Sequence, residues 1–286
     1  MKKHKLLLAF LLMSTTAIFA QKLENSTLWK ITGNGLEKPS YVFGTIHITC
    51  DATLSDQVKK ALKETSQTIL EIDMDDPSLQ STMMSNMMMT GGKSLKDFMS
   101  DEEYALVDTL FIKNMGMSVK PMQKVRPFFL SAMFYPKMID CEMQSFETEI
   151  MKIAKEQGED IKGLETIQDQ LKVFEDIPYE EQVKDLVRTA KDNLAKDKKI
   201  FKKLMKIYES QNITKMYDFT FEDEDSYMSE HVDKLLDNRN KKWISRIGEF
   251  AKAEPTFFGV GAGHLAGKNG VILLLRKAGY TVTAVK

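Results

Sequence analysis

Two stretches near opposite ends of the chain are alike: Pro39-Ser40-Tyr41-Val42-Phe43-Gly44-Thr45-Ile46-His47 and Pro255-Thr256-Phe257-Phe258-Gly259-Val260-Gly261-Ala262-Gly263-His264. Each has a proline, then an aromatic strand pattern, and ends in Gly-x-x-His. A strand that exits through glycine delivers the next side chains to the rim of a sheet, where α/β folds place ligand sites. The pair therefore predicts one sheet with strands from both ends of the chain and two histidines at its edge.

The neighbouring segments predict the rest of this sheet. Strand patterns occupy residues 28–32, 40–43, 67–74, 160–165, 256–260 and 280–285, and helical spacing occupies 55–65 and 271–278. From about residue 79 to 253 the pattern is mostly helical. We predict an α/β (α+β) fold, in which a mixed sheet core built from both termini surrounds the paired Gly-x-x-His motifs and carries a central helical insertion or cap.

Composition narrows the class of protein. The chain has 286 residues, of which 43% are hydrophobic and 28% charged, an ordinary globular balance that excludes collagen-like and largely disordered chains. A formal net charge of −1 argues against a nucleic-acid partner, which normally selects a basic surface. After the first twenty residues, no apolar run reaches the ~20 residues that a membrane-spanning helix needs.

The first twenty residues predict export. Three lysines among the first five residues precede an apolar run that ends at Ala20. This pattern is typical of a secretory signal peptide over residues 1–20, cleaved after Ala20, and an uncleaved membrane anchor is the alternative. We expect residues 21–286 to form a single periplasmic or secreted domain, with no stable membrane anchor after cleavage. The helical insertion of that domain spans residues 79–253.

The cysteine count is consistent with an oxidising compartment. Cys50 and Cys141 are the two cysteines of the chain, and an even pair in an exported protein predicts a disulfide. Two buried free thiols are the alternative, because spacing alone cannot measure the distance between them. The absence of C-x-x-C leaves thioredoxin-like chemistry and cysteine-based zinc sites without support.

The two motif histidines are the first candidate site residues. Imidazoles at one rim can bind a divalent metal or act as acid and base, whereas a lone histidine often only closes a turn. A metal site with two histidines usually includes a carboxylate, and Glu71 lies in the apolar run Ile69-Leu70-Glu71-Ile72-Asp73, with Asp73 predicted on the same face. We predict His47, His264 and Glu71 as metal ligands. An ion pair with a lysine or arginine is the alternative for Glu71.

Two further charged residues complete the candidate set. Glu165 follows another predicted strand and is a second candidate catalytic carboxylate; alternatively, it is a helix N-terminal acid that satisfies the helix dipole. Arg239 can stabilise an oxyanion or bind a substrate carboxylate, although its polar surroundings by themselves favour a solvated helix face.

These motifs together resemble one family. The matching residues are Leu28-Trp29-Lys30-Ile31 with Tyr41 to His47, Gly163-Leu164-Glu165-Thr166 with Gln170, Arg239-Asn240 with Trp243, and Gly261-Ala262-Gly263-His264-Leu265 with Gly267 and Gly270-Val271. In this order they resemble the signatures of TraB/GumN proteins over about residues 28–285. The two Gly-x-x-His motifs are the specific part of the resemblance.

The resemblance implies a function. TraB/GumN proteins are similar to the Tiki metalloproteases, which clip amino-terminal residues from secreted Wnt ligands. The resemblance also implies a divalent metal ion, with Mn or Co suspected. Zn is also suited to a site of two histidines and a carboxylate. By motif, His47 and His264 carry over directly, and Glu71, Glu165 and Arg239 follow as catalytic candidates. We therefore predict a metal-dependent hydrolase of Tiki-like peptidase type.

Two other functions remain open for the same site. A metal-independent hydrolase similar to erythromycin esterases would use His47 as general base, assisted by Glu71. A non-catalytic protein would use the rim to hold a peptide or haem. The expected partner is a peptide or small-molecule substrate, and the sequence leaves the oligomeric state open.

Overall fold

The computed structural model describes residues 23–221 and 227–286. The predicted signal peptide, residues 1–20 with cleavage after Ala20, lies outside the described residues. Over the described ranges, no helix is both long enough and apolar enough to cross a membrane.

A six-stranded mixed sheet forms the centre of the described chain. Its strands are β1 (Leu28–Gly33), β2 (Ser40–Thr45), β3 (Gln67–Leu70), β4 (Ile161–Gly163), β5 (Thr256–Gly261) and β6 (Tyr280–Ala284). They lie in the order β4-β3-β5-β2-β1-β6. The first four in this order are parallel neighbours, and β1 pairs antiparallel with β2 and β6. The predicted mixed sheet built from both termini is confirmed.

Helices flank the sheet and fill most of the chain between β3 and β5. They are α1 (Asp56–Lys63), α2 (Leu79–Ser85), α3 (Asp101–Met115), α4 (Pro127–Ala132), α5 (Phe146–Glu156), α6 (Ile167–Glu175), α7 (Tyr179–Lys191), α8 (Ala195–Glu209), α9 (Ile213–Thr220), α10 (Tyr227–Glu230), α11 (Asn238–Ala253) and α12 (Val271–Lys277). A π-helical turn, Asp233–Asp237, precedes α11. The predicted central helical insertion is confirmed, and β4 is the strand that the insertion returns to the sheet.

The core has layers on both faces of the sheet. Alternation along β1 sends Trp29 and Ile31 to one face, where they pack with Trp243 of α11, and Leu28 to the other, where it packs with Phe146 of α5. Each such fully buried side chain contributes roughly 1.5–3 kcal/mol. The insertion has a third apolar cluster of its own among α3, α4 and α7. The cap is therefore a packed body rather than a loose extension.

Parallel pairing of β2 with β5 brings the two Gly-x-x-His motifs together. Thr45 pairs with Gly261, so both strands end at the same edge of the sheet. A Cβ at position 44 would lie 2.6 Å from Leu265 Cδ1 and 3.0 Å from the Cα of Ala262. Gly44 is therefore required because the chain after β5 passes directly over it, and the first motif depends on the second for its packing.

The strand that leads to Glu71 is shorter than the sequence predicted. β3 ends at Leu70 instead of continuing to residue 74. The Glu71 carbonyl still accepts a hydrogen bond from the Glu165 N–H, at 2.9 Å. The chain then leaves the sheet, and the Asp73 side chain faces Asp75. Charged side chains cannot continue a strand that is buried on both faces. The predicted alternation of Glu71 and Asp73 on one face is therefore wrong.

A disulfide joins the loop after β2 to the segment before α5. The Cα atoms of Cys50 and Cys141 are 5.7 Å apart, and the bridge spans 91 residues of sequence. Beside it, Thr49 and Gln144 exchange two backbone hydrogen bonds of 3.0 and 2.9 Å. The predicted disulfide is confirmed, and it holds together two segments that the chain sequence places far apart.

Removing this bridge is expected to lower the free energy of unfolding by about 3 kcal/mol, because the cross-link restricts a long loop in the unfolded chain. Urea unfolding of a Cys50→Ser/Cys141→Ser variant measures the loss. Wild-type protein unfolded in the presence of a reductant is the control and should match the variant. An unchanged unfolding midpoint in both would contradict the expectation.

Candidate functional site

The predicted site residues lie at the carboxyl edge of the parallel strands. His47 follows β2, Glu71 follows β3, Glu165 follows β4 and His264 follows β5. Arg239 reaches the same edge from the start of α11. The structure therefore brings all five predicted residues into one region, although they differ in burial and partners.

Arg239 forms the buried centre of this region. Its Nη2 donates to Glu71 Oε2 and to Glu165 Oε1, both at 2.6 Å, and its Nε donates to Glu165 Oε1 at 3.0 Å. The side chains are only 14%, 11% and 7% exposed for Arg239, Glu71 and Glu165. The expectation of a solvated helix face for Arg239 is wrong, because two carboxylates from the sheet edge hold it inside. The alternative for Glu71, an ion pair, is thus present, and its partner is another candidate site residue.

Glu165 is held on two sides. Besides Arg239, Trp243 Nε1 donates to its Oε2 at 3.0 Å. The N-cap of α6 is Thr166, which forms a capping box with Asp169. Because that box already satisfies the helix N-terminus, the alternative role of Glu165 as a helix-dipole acid is wrong. Glu165 instead fixes the position of the Arg239 guanidinium.

His264 lies beneath the guanidinium and is 4% exposed. Its Nδ1 is 2.6 Å from Asn240 Oδ1, and the amide of Asn240 donates to the Asn269 carbonyl. Nδ1 therefore carries the proton, and Nε2 is the acceptor that faces Arg239 Nη1 at 3.2 Å. Burial, together with the nearby Arg239 charge, lowers the pKa of His264 to about 3. His264 is thus a neutral acceptor at pH 7.

His47 has the opposite setting. Its side chain is 64% exposed, and its Nδ1 lies 2.7 Å from Glu147 Oε1. Desolvation by itself would lower the pKa of His47, but the hydrogen bond and charge of Glu147, with a contribution from Glu71, raise it to about 9. Two histidines with the same sequence context therefore differ in pKa, because the hydrogen bond and charge of Glu147 raise that of His47 whereas burial lowers that of His264.

Glu147 is the functional candidate that sequence reasoning missed. It is 6% exposed and accepts hydrogen bonds from Thr45 Oγ1 at 2.6 Å and from Ser145 Oγ at 2.9 Å, in addition to its bond with His47. In the sequence it is an ordinary acid in the first turn of α5, behind the N-cap Ser145. Nothing local distinguishes it, because its partner lies 100 residues earlier.

An open cleft of about 500 Å³ meets this edge of the sheet. His47, Glu71 and Arg239 line it, together with Glu147 and Gln170. Gln170 Nε2 donates to Glu71 Oε2 at 3.1 Å. The residues that line the cleft do not include His264 or Glu165. The five predicted residues thus divide into three that reach the cleft and two that support Arg239 from behind.

Glu71 connects the two groups. Its Oε1 accepts from the Gly261 N–H at 2.7 Å and lies 3.6 Å from His264 Nε2. Burial alone would raise the pKa of Glu71, but the charges of Arg239 and His47, together with the Gly261 N–H, hold it well below its usual range. Glu71 is therefore ionised at neutral pH and balances Arg239.

The site residues meet some of the requirements of a divalent metal ion but not all of them. The donor types are suitable, since both histidines have Nδ1 engaged and Glu71 is ionised. However, Glu71 Oε2 and His264 Nε2 are both engaged by the Arg239 guanidinium. Within residues 23–221 and 227–286, no group of three or more His, Cys, Asp or Glu side chains is placed to hold a metal ion. As arranged, these residues do not fit a metal site, because a guanidinium already occupies the position of the cation.

Replacing Glu147 with glutamine is expected to lower the pKa of His47 from about 9 towards its ordinary value of 6.5, because the hydrogen bond and charge of the carboxylate are the main causes that raise it. NMR titration of the His47 ring protons measures this shift. Glu156→Gln, an exposed acid at the far end of α5, is the matched control. Equal titration midpoints in the two variants would show that Glu147 does not set the pKa.

Comparisons with known proteins identify the family of this chain. A family model described as the TraB/PrgY/gumN family matches residues 27–284. Metalloprotease TIKI1 of Danio rerio is 20% identical over 90% of this chain, and Metalloprotease TIKI2 of the same organism is 19% identical over 92%. Metalloprotease TIKI1 of Homo sapiens is 34% identical over 28% of this chain.

The chain spans 63% and 61% of the two Danio rerio proteins and 16% of the human one. No solved structure matches the chain.

Proposed function

Because this chain belongs to the TraB/PrgY/gumN family, we propose that it is a hydrolase that cleaves a peptide bond. One observation carries the proposal: the exposed His47 is oriented by the buried Glu147, next to the buried Arg239, along a single cleft. A histidine held by a carboxylate through Nδ1 is the arrangement that general bases of hydrolases use.

The chemistry follows from the two nitrogens of His47. In the deprotonated form of His47, which is the minor form at pH 7 because its pKa is raised to about 9, Nδ1–H is donated to Glu147 and Nε2 takes a proton from the attacking water. The water oxygen bonds to the scissile carbonyl carbon, and Glu147 stabilises the imidazolium that forms. His47 then gives the proton to the leaving nitrogen as the carbon–nitrogen bond breaks. Arg239 also lines the cleft, but its N–H groups already face Glu71, Glu165, His264 and the Leu235 carbonyl, so it adds its positive charge near the developing oxyanion and no free hydrogen-bond donor.

Glu71, Glu165 and His264 act through Arg239 in this proposal. The two carboxylates hold the guanidinium through ion pairs and hydrogen bonds, and the neutral His264 accepts from it without adding a second positive charge. Their task is to fix the position of the Arg239 guanidinium at the edge of the cleft. His264 and Glu165 are therefore positioning residues.

A metal-dependent version is the second candidate. It is supported by the relatives that are named metalloproteases and by the two histidines and one carboxylate at the edge of the sheet. In that version His47, His264 and Glu71 hold a divalent ion, Mn, Co or Zn. Arg239 would first have to release Glu71 and His264, which is why the metal-free version is the better match to the geometry.

The deciding experiment incubates purified mature protein with a peptide library and detects products by mass spectrometry, with and without a strong chelator, beside elemental analysis. Cleavage that survives the chelator supports the metal-free version. Cleavage that is lost with the chelator and restored by Mn, Co or Zn supports the second candidate. Saturable binding of peptide or haem without any product would contradict a hydrolase and leave a binding protein.

We propose that the active form consists of residues 21–286, one exported domain with its helical insertion over residues 79–253. The Cys50–Cys141 disulfide supports export, because such bridges persist in oxidising compartments. Amino-terminal sequencing of the protein recovered outside the cytoplasm should begin at Gln21. Recovery only of a chain that begins at Met1 would contradict signal cleavage.

A further inference from the structure

The cleft beside His47 has a wall made of two stacked aromatic rings. The centroids of Phe128 and Phe174 are 3.6 Å apart, and the ring planes are inclined by only 19°. Both residues line the cleft and are half-buried. Neither belongs to any of the three apolar clusters of the described chain, whereas the adjacent Phe129 packs against the cluster of the insertion. The pair therefore presents apolar surface to the cleft instead of filling a core.

A buried glutamine fixes one side of this pair. Gln182 is 2% exposed, and its Nε2 donates to the carbonyls of Phe174 and Ile177, both at 2.9 Å. Its Oε1 accepts from the backbone N–H of Phe128 at 3.2 Å. One side chain thus ties the backbones that carry both rings, so α4 and α6 cannot separate without leaving a buried amide unsatisfied.

An ion pair fixes the other side. Arg126, two residues before Phe128, is 5% exposed and contacts Glu175, the neighbour of Phe174, at 2.7 Å. Its Nε also donates to the Met88 carbonyl at 3.0 Å. Because two independent contacts hold the rings, the aromatic wall is preorganised and needs little further ordering when a ligand binds.

The rest of the cleft away from the polar edge is also apolar. Leu70, Val173, Leu235 and Leu236 line it, and Met74 contributes a side chain that is 37% exposed. Exposed apolar surface concentrated in a concave site marks a ligand-binding region more often than chance. A charged ligand side chain would lose hydration here without gaining a partner.

We propose that this wall, Phe128 and Phe174, is a subsite for a large apolar side chain, aromatic or long aliphatic, that flanks the bond to be cleaved. The subsite shares its cleft with His47 and Arg239. Its role in selecting a substrate rests on the proposed hydrolase function, whereas its ability to bind an apolar side chain does not. Apolar binding against two fixed rings selects the substrate, and the polar edge of the cleft acts on the adjacent peptide bond.

The test measures binding rather than turnover. Acetylated and amidated pentapeptides Ala-Ala-X-Ala-Ala, with X as Phe, Leu, Ser or Asp, are titrated into the mature protein by NMR. The wild type should bind the Phe peptide at least about tenfold more tightly than the Ser peptide, and the Asp peptide most weakly. Phe174→Ala should reduce the Phe-to-Ser ratio below about threefold through weaker binding of the Phe peptide alone.

Two further variants make this test specific. Phe221→Ala removes a half-buried ring of another aromatic pair, with Tyr217, outside the cleft lining, and should leave the ratio unchanged. Phe174→Leu keeps apolar volume if the alanine variant does not fold, and should retain an intermediate ratio. Equal affinity for all four peptides, no binding of any of them, or an equal loss for all peptides in the Phe174 variants would overturn the subsite.

The outcome also separates the two proposals. His47→Ala should keep the preference for Phe, because the wall does not depend on His47. A preserved preference without cleavage of any peptide would refute the hydrolase and leave the subsite standing. Cleavage of library peptides with no dependence on apolar side chains would refute the subsite alone.

Discussion

Replacing His47 with alanine is expected to abolish peptide hydrolysis and leave the fold intact. A general base of this kind contributes roughly 10²–10⁴-fold to the rate, so kcat/KM should fall by about three orders of magnitude. The side chain is 64% exposed, and its loss creates no buried cavity. Kinetics on a peptide found in the library screen, together with thermal unfolding, measure both quantities.

A second histidine that contacts a glutamate provides the matched control. His231 contacts Glu181 away from the cleft lining and is absent from both Gly-x-x-His motifs. His231→Ala should retain the wild-type rate. If His47→Ala keeps more than about a tenth of the wild-type activity, the general-base assignment is refuted, because no catalytic base is that dispensable.

The pH dependence follows from the same assignment. A base must be neutral to accept a proton, and the pKa of His47 is raised to about 9. The rate should therefore rise with pH until about 9 and level off above it. In Glu147→Gln, whose His47 pKa is lowered, the rising limb should shift to lower pH. A rate that falls with rising pH between 7 and 9 would contradict this role.

Replacing Arg239 with methionine is expected to lower the free energy of unfolding by about 3–5 kcal/mol, the usual cost of removing one partner from a buried ion pair. Glu71 and Glu165 would remain with exposed fractions of 11% and 7% and no cation between them. The stacking of Arg239 over Trp243, at 4.9 Å, would also be lost. Urea unfolding at pH 7 gives the change directly.

Arg246→Met is the control on the same helix. Arg246 is exposed and donates one hydrogen bond to the Gly163 carbonyl at 3.1 Å, so its loss should cost under about 1 kcal/mol. In a Glu71→Gln/Glu165→Gln background, Arg239→Met should cost much less, because no unpaired negative charge is left inside. Equal costs for the two arginine variants would refute the buried-pair account.

The same ion pair also determines how the loss of stability in Arg239→Met changes with pH. In wild type, the Glu71 pKa is held below its usual range, so the stability it contributes is present at neutral pH and is lost only as the pH falls through that lowered value. In Arg239→Met, Glu71 loses the cation and its pKa rises. The difference in the free energy of unfolding between wild type and Arg239→Met should therefore become smaller as the pH is lowered from 7 to 4.5.

Local sequence patterns determined most of the sheet. The aromatic runs before Gly44 and Gly261 predicted β2 and β5, and the parallel pairing of Thr45 with Gly261 confirms that the two motifs meet. Such patterns reflect which side chains face the core within one strand, and that information is contained in a few neighbouring residues. The end of β3 at Leu70 was missed, because the apolar run continues after the chain has left the sheet.

The tertiary structure alone decided what the site residues do. His47 and His264 have the same motif, yet His47 pairs with Glu147 and His264 is buried beside Arg239, so their pKa values move in opposite directions. The sequence patterns identified Arg239 and Glu71 as separate candidates but did not predict their contact, which joins positions 168 residues apart. The role of a charged side chain depends on the charged groups that lie next to it in the folded protein. Those partners are set by the packing of helices and strands that are distant in sequence, and no local sequence pattern contains that information.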